Sequence, residues 1–489
     1  MKQKSLFKNI IYKAILSFVN ILVPAIIGSY IVHLLDVDLY GAYNKVYSEF
    51  QVFLTFASFG IYTFGIREVS KIRDDIKKIS SLFTNLFIIS IISNLIVILI
   101  YIAYSLISST GITRMIYIIM ITQLIANIFY IEFVNEALEN YKFITIKSVI
   151  IKLLYMLSLY LFVKKPEDII IYTIIVSMTV FLNNIASFIY AKKRIKFDFS
   201  SINYKKYLAP MLTILVISNV DLLYSQLDRI MLGKFIDDVS VTMYYIPYYL
   251  VSMIVSIPYA IITVSIPRLA YVLENKGKKE YLSNLSRMIS SLYFIIIPMC
   301  FGILVLSKEA IILYAGKKYI AMVPTLMVAC LSRLIICTES IMTNLVLYPN
   351  NKEKQVLKLS LCFGTSNLIM NSCLVIFKIF TPTTALITTS IAEFGFALSQ
   401  FIYAKKKLNL NIRILTKQNV SYLILCILFI PISYIIRLAN LNFWINLLLI
   451  TITCVLFYFG ILYIKKDDNL LLAINKLFKK INIRRRKYE

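Results

Sequence analysis

Apolar stretches of about 20 residues recur from one end of the chain to the other, separated by short polar loops. An α-helix rises about 1.5 Å per residue and the hydrocarbon layer of a bilayer is about 30 Å thick, so each stretch is long enough to cross it. The pattern predicts about fourteen transmembrane helices, near residues 9–35, 39–66, 82–108, 113–139, 144–163, 168–191, 206–235, 239–266, 283–306, 320–348, 355–378, 381–404, 418–436 and 443–464. The longest intervening loop, residues 268–286, is under about 20 residues and too short to fold as a domain of its own.

Composition agrees: 59% of residues are hydrophobic, 16% are charged and the mean hydropathy is +0.78, outside the range of soluble domains. The expected fold class is therefore all-α and integral to a membrane. A net charge of +27 would suggest nucleic acid in a soluble protein, but the charge is not spread evenly. With the N-terminus in the cytoplasm, about 40 of the 52 Lys and Arg fall on the cytoplasmic face and about 9 on the other. This fits the positive-inside rule with both termini cytoplasmic, and leaves no reason to expect a nucleic-acid partner. The basic tail, residues 465–489, includes Lys476, Lys479, Lys480, Arg484, Arg485, Arg486 and Lys487. Anionic membrane lipids are its expected partner, each contact contributing about 1 kcal/mol.

The chain repeats itself. Phe188-Ile189-Tyr190-Ala191-Lys192-Lys193 at the end of the sixth span recurs as Phe401-Ile402-Tyr403-Ala404-Lys405-Lys406 at the end of the twelfth. Leu35-Asp36 and Tyr43 correspond more weakly to Ile236-Asp237 and Tyr244. The repeat predicts a six-helix lobe at 1–200, a second at 201–410, a terminal helix pair at 411–464 and the tail beyond. Six is even, so the lobes start on the same side and are parallel repeats about an axis along the membrane normal, with substrate expected between them.

Charges inside spans cost about 2.5–3.5 kcal/mol each at the bilayer centre and usually face a cavity or a partner. The candidates are Lys45 and Glu49, Glu132 and Glu136, Asp221, Asp228 and Arg229, Arg333 and Glu339, and Glu393. Spacing allows Lys45 and Glu49 to pair on one helix face, and puts Asp221 and Asp228 on a common face. Glu132 and Glu136 share a face with like charge; two close carboxylates resist ionising together, which makes them a candidate proton carrier unless Glu136 is simply hydrated at the cytoplasmic end. Arg229 and Arg333 keep their charge and need carboxylates, water or an anionic ligand. Asp228, Asp221, Glu339 and Glu393 are available to neutralise them, or the two arginines line a substrate cavity. Asn219, Gln226, Asn183, Asn184, Asn344, Asn367 and Asn371 either add hydrogen bonds to such a cavity or join helices. Prolines 24, 247, 258, 298 and 324 lie within spans and are expected to bend them.

Other chemistries find no footing. There is no G-x-x-x-x-G-K-[ST] phosphate loop for a nucleotide. Asp36-Val37-Asp38 lies in a short external loop, away from cytoplasmic nucleotide sugars, and His33 has no metal partners in view. All seven cysteines sit in spans at no metal-like spacing and read as small apolar residues. No cofactor or metal is expected, and nothing at the N-terminus has the form of a cleavable signal.

These features resemble the polysaccharide flippases (Wzx type) of the multidrug/oligosaccharidyl-lipid/polysaccharide exporter superfamily. The resemblance is carried by Leu35-Asp36 through Tyr40-Gly41-Ala42-Tyr43, Phe64-Gly65-Ile66-Arg67-Glu68, Leu227-Asp228-Arg229-Ile230-Met231-Leu232-Gly233 and Leu313-Tyr314-Ala315-Gly316-Lys317-Lys318-Tyr319. The polar loop from Pro349 to Lys354, Asn371 and Glu393 complete it over residues 1–410. It implies two helix lobes around a cavity that opens alternately to each side of a bacterial plasma membrane. The cargo implied is an undecaprenyl-pyrophosphate-linked oligosaccharide, turned to the outer leaflet for capsule or O-antigen assembly, with polysaccharide polymerase machinery as a downstream partner. On this reading the chain is a secondary transporter and not an enzyme. Arg229, Arg333, Lys45, Asn219 and Gln226 bind substrate, and Asp228, Asp221, Glu339, Glu393, Glu132 and Glu136 couple ions. A peptidoglycan-precursor flippase and a drug/cation antiporter share the expected fold. A membrane polysaccharide polymerase would need a larger external loop than residues 307–319 offer.

Overall fold

A spanning chain has no water in the bilayer core to satisfy its backbone, so the N–H and C=O groups must bond within helices. The computed structural model describes residues 6–200, 202–218 and 222–475, and every regular element among them is helical. Asn219, Asp221 and the tail from Lys476 to Lys487 lie outside the described residues.

Contacts divide the chain into two compact units, Met1–Thr242 and Met243–Glu489. The first holds α1 (Leu6–Leu34), α2 (Val37–Ser58), α3 (Ile61–Lys71), α4 (Ile76–Ser108), α5 (Gly111–Ile128), α6 (Glu132–Ala137), α7 (Tyr141–Phe162), α8 (Ile169–Lys192), α9 (Lys205–Ser218) and α10 (Leu222–Phe235). Helix α11 (Asp238–Asn275) starts in the first unit. The second continues with α12 (Lys278–Val305), α13 (Ser307–Ala315), α14 (Val323–Ile341), α15 (Glu353–Ile376), α16 (Pro382–Lys407), α17 (Lys417–Ile427), α18 (Phe429–Leu438) and α19 (Phe443–Ile464). Helix α10 packs on α2 and α9 on α3, which places both in the first unit.

Among the described residues, 13 helical segments are long and apolar enough to cross a membrane. The expected span at 206–235 contains residues 219–221, which lie outside the described residues; α9 and α10 flank them. Large apolar side chains face outward, as at Leu99 (69% exposed) and Ile376 (74%), while polar ones turn in. Asn127 Nδ2 donates to Asn94 Oδ1 at 3.0 Å, Asn184 Nδ2 to the carbonyl of Ala126 at 3.0 Å, and Gln123 Nε2 to Ser177 Oγ at 3.0 Å. Such bonds join helices where lipid offers no hydrophobic drive to do so.

Two expected spans are broken near one end. Phe59 and Gly60 both adopt positive φ, 46° and 69°, and separate α2 from α3; residues 129–131 separate α5 from α6. The short pieces α3 and α6 pack on each other, and Gly65 is what lets them approach: a Cβ there would sit 2.4 Å from the ring of buried Phe133. Gly65→Ala is therefore expected to destabilise the protein by about 1–3 kcal/mol through overpacking, measured as a loss of thermal stability in detergent. In the second unit Pro324 stands in the first turn of α14, where its missing N–H is harmless, so it starts that helix and does not bend it. Helix α14 ends in a π-helical turn, Met342–Leu347, and the Leu345 carbonyl accepts from Tyr281 Oη at 2.6 Å.

Contacts near the helix ends obey the alternation read from charge. Within the first unit, Arg73 meets Glu139 at 3.5 Å and Asn85 Oδ1 accepts from the backbone N–H of Asn203, joining loops expected on the cytoplasmic side. The backbone N–H of Asp36 donates to Pro166 on the opposite side. Within the second unit, Lys278 Nζ donates to the Leu408 carbonyl and Arg437 pairs with Glu309 at 2.8 Å, again each on one expected face.

Candidate substrate and ion sites

The hairpins that open the two repeats are built alike. Asp36 Oδ1 accepts from the backbone N–H of Leu39 at the start of α2, and Asp237 Oδ1 accepts from Ser240 at the start of α11. Seven residues after each aspartate a tyrosine stacks on the next turn's tyrosine: Tyr43 on Tyr47 at 5.9 Å and Tyr244 on Tyr248 at 6.0 Å. Asp36 is thus spent on a helix cap.

Lys45 does not pair with Glu49. Its ammonium meets Asp238 Oδ1 at 2.9 Å, because α10 and the first turn of α11 lie against α2 and bring a carboxylate closer than one on its own helix. Glu49 is buried, 7% exposed, and accepts hydrogen bonds from Tyr104 Oη at 2.8 Å and from Tyr117 Oη. Asp228 and Arg229 are both buried on α10, with Arg229 in electrostatic reach of Tyr47. Gln226 also lies on α10, and its Oε1 finds no donor among the described residues.

Glu132 and Glu136 are not a bare carboxylate pair. Glu132 accepts from Lys147 Nζ at 3.0 Å and from Ser187 Oγ, while Glu136 accepts from Tyr62 Oη at 3.0 Å. The Lys147 side chain is 4% exposed. Its position on the first turns of α7, facing α6 and α8, makes this lysine an internal cation.

In the second unit Arg333 sits on α14, 9% exposed. It donates through Nη2 to Ser252 Oγ, its guanidinium carbon lies 4.8 Å from the Tyr248 ring centre, and its Nε is buried with no partner. The buried thiols of Cys300, Cys330 and Cys337 lie within reach of its charge. No carboxylate lies within ion-pair distance of it among the described residues. Glu339 accepts from Thr343 Oγ1 at 2.5 Å, and Thr343 accepts from Gln400 Nε2 at 2.7 Å. Glu393 is buried on α16. Asn367 and Asn371 join α15 to α16 through Thr389 and Thr388, which is the helix-joining reading of those residues. Sequence reasoning missed Lys147 and the tyrosines around Glu49. Lys147 and Lys152, two lysines within the otherwise apolar run 144–163, were the one available signal.

Solved structures match this architecture over nearly its whole length. The lipid II flippase MurJ in an inward closed conformation aligns with TM-score 0.69 at 15% identity, covering 93% of this chain and 99% of its own. A structure named protein A aligns with TM-score 0.55 at 16% identity, covering 84% and 98%. A MATE transporter in complex with MaL6 aligns with TM-score 0.49 at 11% identity, covering 81% and 88%. No curated protein matches in sequence. The fold is similar to those of the MurJ structure and of protein A, and the architecture is multi-pass. Residues 6–272 match the polysaccharide biosynthesis protein family, and the chain belongs to it.

Proposed function

We propose that the protein flips undecaprenyl-pyrophosphate-linked oligosaccharide repeat units from the cytoplasmic to the outer leaflet of a bacterial plasma membrane, by alternating access of two six-helix repeats. The product would feed capsule, O-antigen or exopolysaccharide assembly, with a polysaccharide polymerase acting next. The observation that carries this reading is Arg333: a buried guanidinium that has, among the described residues, no carboxylate within ion-pair distance and no partner for its Nε–H, in a chain of the polysaccharide biosynthesis family. A pyrophosphate is the compact anion that a guanidinium fork binds best. Arg229 is the second proposed contact, while Asp228, Glu339 and Glu393 reset the carrier. Two phosphate charges leaving a cell held 100 mV negative inside gain about 4.6 kcal/mol, and arginines travelling with them would cancel most of that bias, so an ion must return energy to the cycle.

The test is transfer in proteoliposomes. Purified protein is reconstituted with labelled lipid-linked oligosaccharide, and the appearance of label on the opposite leaflet is timed against protein-free vesicles. Transfer above that background supports the proposal. Transfer of a peptidoglycan precursor in preference to the repeat unit, or elongation of the sugar without transfer, overturns it.

A further inference from the structure

We propose that Glu49 is a proton-binding site whose occupancy decides which carboxylate holds Lys45; its role in transport rests on the flippase reading above. Glu49 lies on α2 at its contact with α4 and α5, and the two phenols that reach it, Tyr104 and Tyr117, both donate to the same oxygen, Oε2. Oε1 receives no hydrogen bond from a described residue. A third phenol, Tyr101, is fully buried beside them, its ring 5.7 Å from that of Tyr117, within electrostatic reach of Glu49 and with its hydroxyl unpartnered.

Among the described residues no cation pairs with Glu49. Of the groups on elements packed against α2, α4 offers Tyr101 and Tyr104, α5 offers Tyr117, and α8 offers Tyr172, which packs on Tyr43 at 4.9 Å. Arg114 on α5 spends its guanidinium on the carbonyls of Leu106 and Ser109. Helix α10 offers Asp228 and Arg229, the latter reaching Tyr47, and Lys45 on α2 itself is held by Asp238. Glu132 and Glu309, by comparison, each have a cation at 3.0 Å or less.

A carboxylate in that setting is relieved by a proton at Oε1, with both phenols left on Oε2. A metal cation fits poorly, since it needs converging lone pairs where Tyr104 and Tyr117 present hydrogens. Release of the proton restores a negative charge one helical turn from Lys45, on the same face, where it competes with Asp238 for the ammonium. With the proton bound, Lys45 stays on Asp238, as in this structure; with the proton gone, it turns to Glu49 and frees the first turn of α11. Tyr104 and Tyr117 lie toward the helix ends at Ser108 and Gly111, which the charge distribution puts on the outer side, where a proton-motive force delivers protons.

Two measurements on the full chain in liposomes decide it. Infrared difference spectra across a pH titration should show the carbonyl stretch of a protonated carboxyl that is lost in Glu49→Gln, an isosteric change that keeps acceptors for both phenols. A Tyr104→Phe, Tyr117→Phe variant should keep that band and move its midpoint, which covers the case in which Glu49→Gln does not fold. Titration bands identical in wild type and Glu49→Gln would overturn the site. In the transfer assay, one pH unit across the membrane multiplies the drive by up to about tenfold per coupled proton, and Glu49→Gln should lose that response. A gradient response undiminished in Glu49→Gln, or one that follows sodium in place of protons, would overturn the coupling. Absence of transfer by wild type would instead defeat the flippase reading, and the infrared arm would still judge Glu49.

Discussion

Arg333→Ala is expected to slow transfer of lipid-linked oligosaccharide by about 10- to 100-fold at unchanged protein level. A hydrogen bond to a charged group contributes about 1.5–3 kcal/mol, and each 1.4 kcal/mol is a factor of ten. Arg333→Lys should fall between, since it keeps the charge but loses the planar fork and the stacking on Tyr248. The decisive control is stability. A buried arginine kept only for packing would cost stability when removed, whereas one held without a carboxylate partner is already a burden on the fold. Arg333→Met, similar in volume, should therefore melt at or above the wild-type temperature while losing transfer, because well-packed apolar replacements of buried charges are often neutral or stabilising. Full transfer by the Arg229→Ala, Arg333→Ala double variant at normal protein level would defeat the assignment of both residues to the pyrophosphate.

What the sequence made legible and what it hid follow from the range of each interaction. Span lengths and loop positions are local properties, and the long apolar helices from α4 to α19 fall near where hydropathy put them, whereas the short α13 occupies the expected external loop 307–319. The likeness of the two hairpins was legible because a helix cap and a tyrosine seven residues on are also local: Asp36 with Tyr43, Asp237 with Tyr244. The break at Phe59-Gly60 was only half visible, since Gly60 allows a positive φ but nothing marks Phe59 for one. Charge partners were the least legible. Lys45 finds Asp238, far along the chain, in preference to Glu49 one turn away, and Glu309 finds Arg437. Spacing along one helix names residues on a common face, but the neighbouring helix decides which of them is already engaged.

Lys147 is the sharpest instance, and its removal should have the largest effect on stability. Its ammonium, Glu132 and Ser187 form a closed group from α7, α6 and α8, with the two charged side chains 4% and 11% exposed. Lys147→Met leaves a buried carboxylate with only a hydroxyl donor, and Glu132→Gln leaves a buried ammonium. Each single change should cost about 3–5 kcal/mol, seen as a large fall in melting temperature and in yield. The Lys147→Met, Glu132→Gln double variant should recover most of that loss, because it removes both charges together. The double variant also separates two roles for Glu132. If it transfers cargo with the wild-type response to a pH gradient, Glu132 serves only to close α6 against α7 and α8. If it melts normally but has lost that response, the proton carriage suggested by the Glu132 and Glu136 spacing runs through a lysine that the spacing did not reveal.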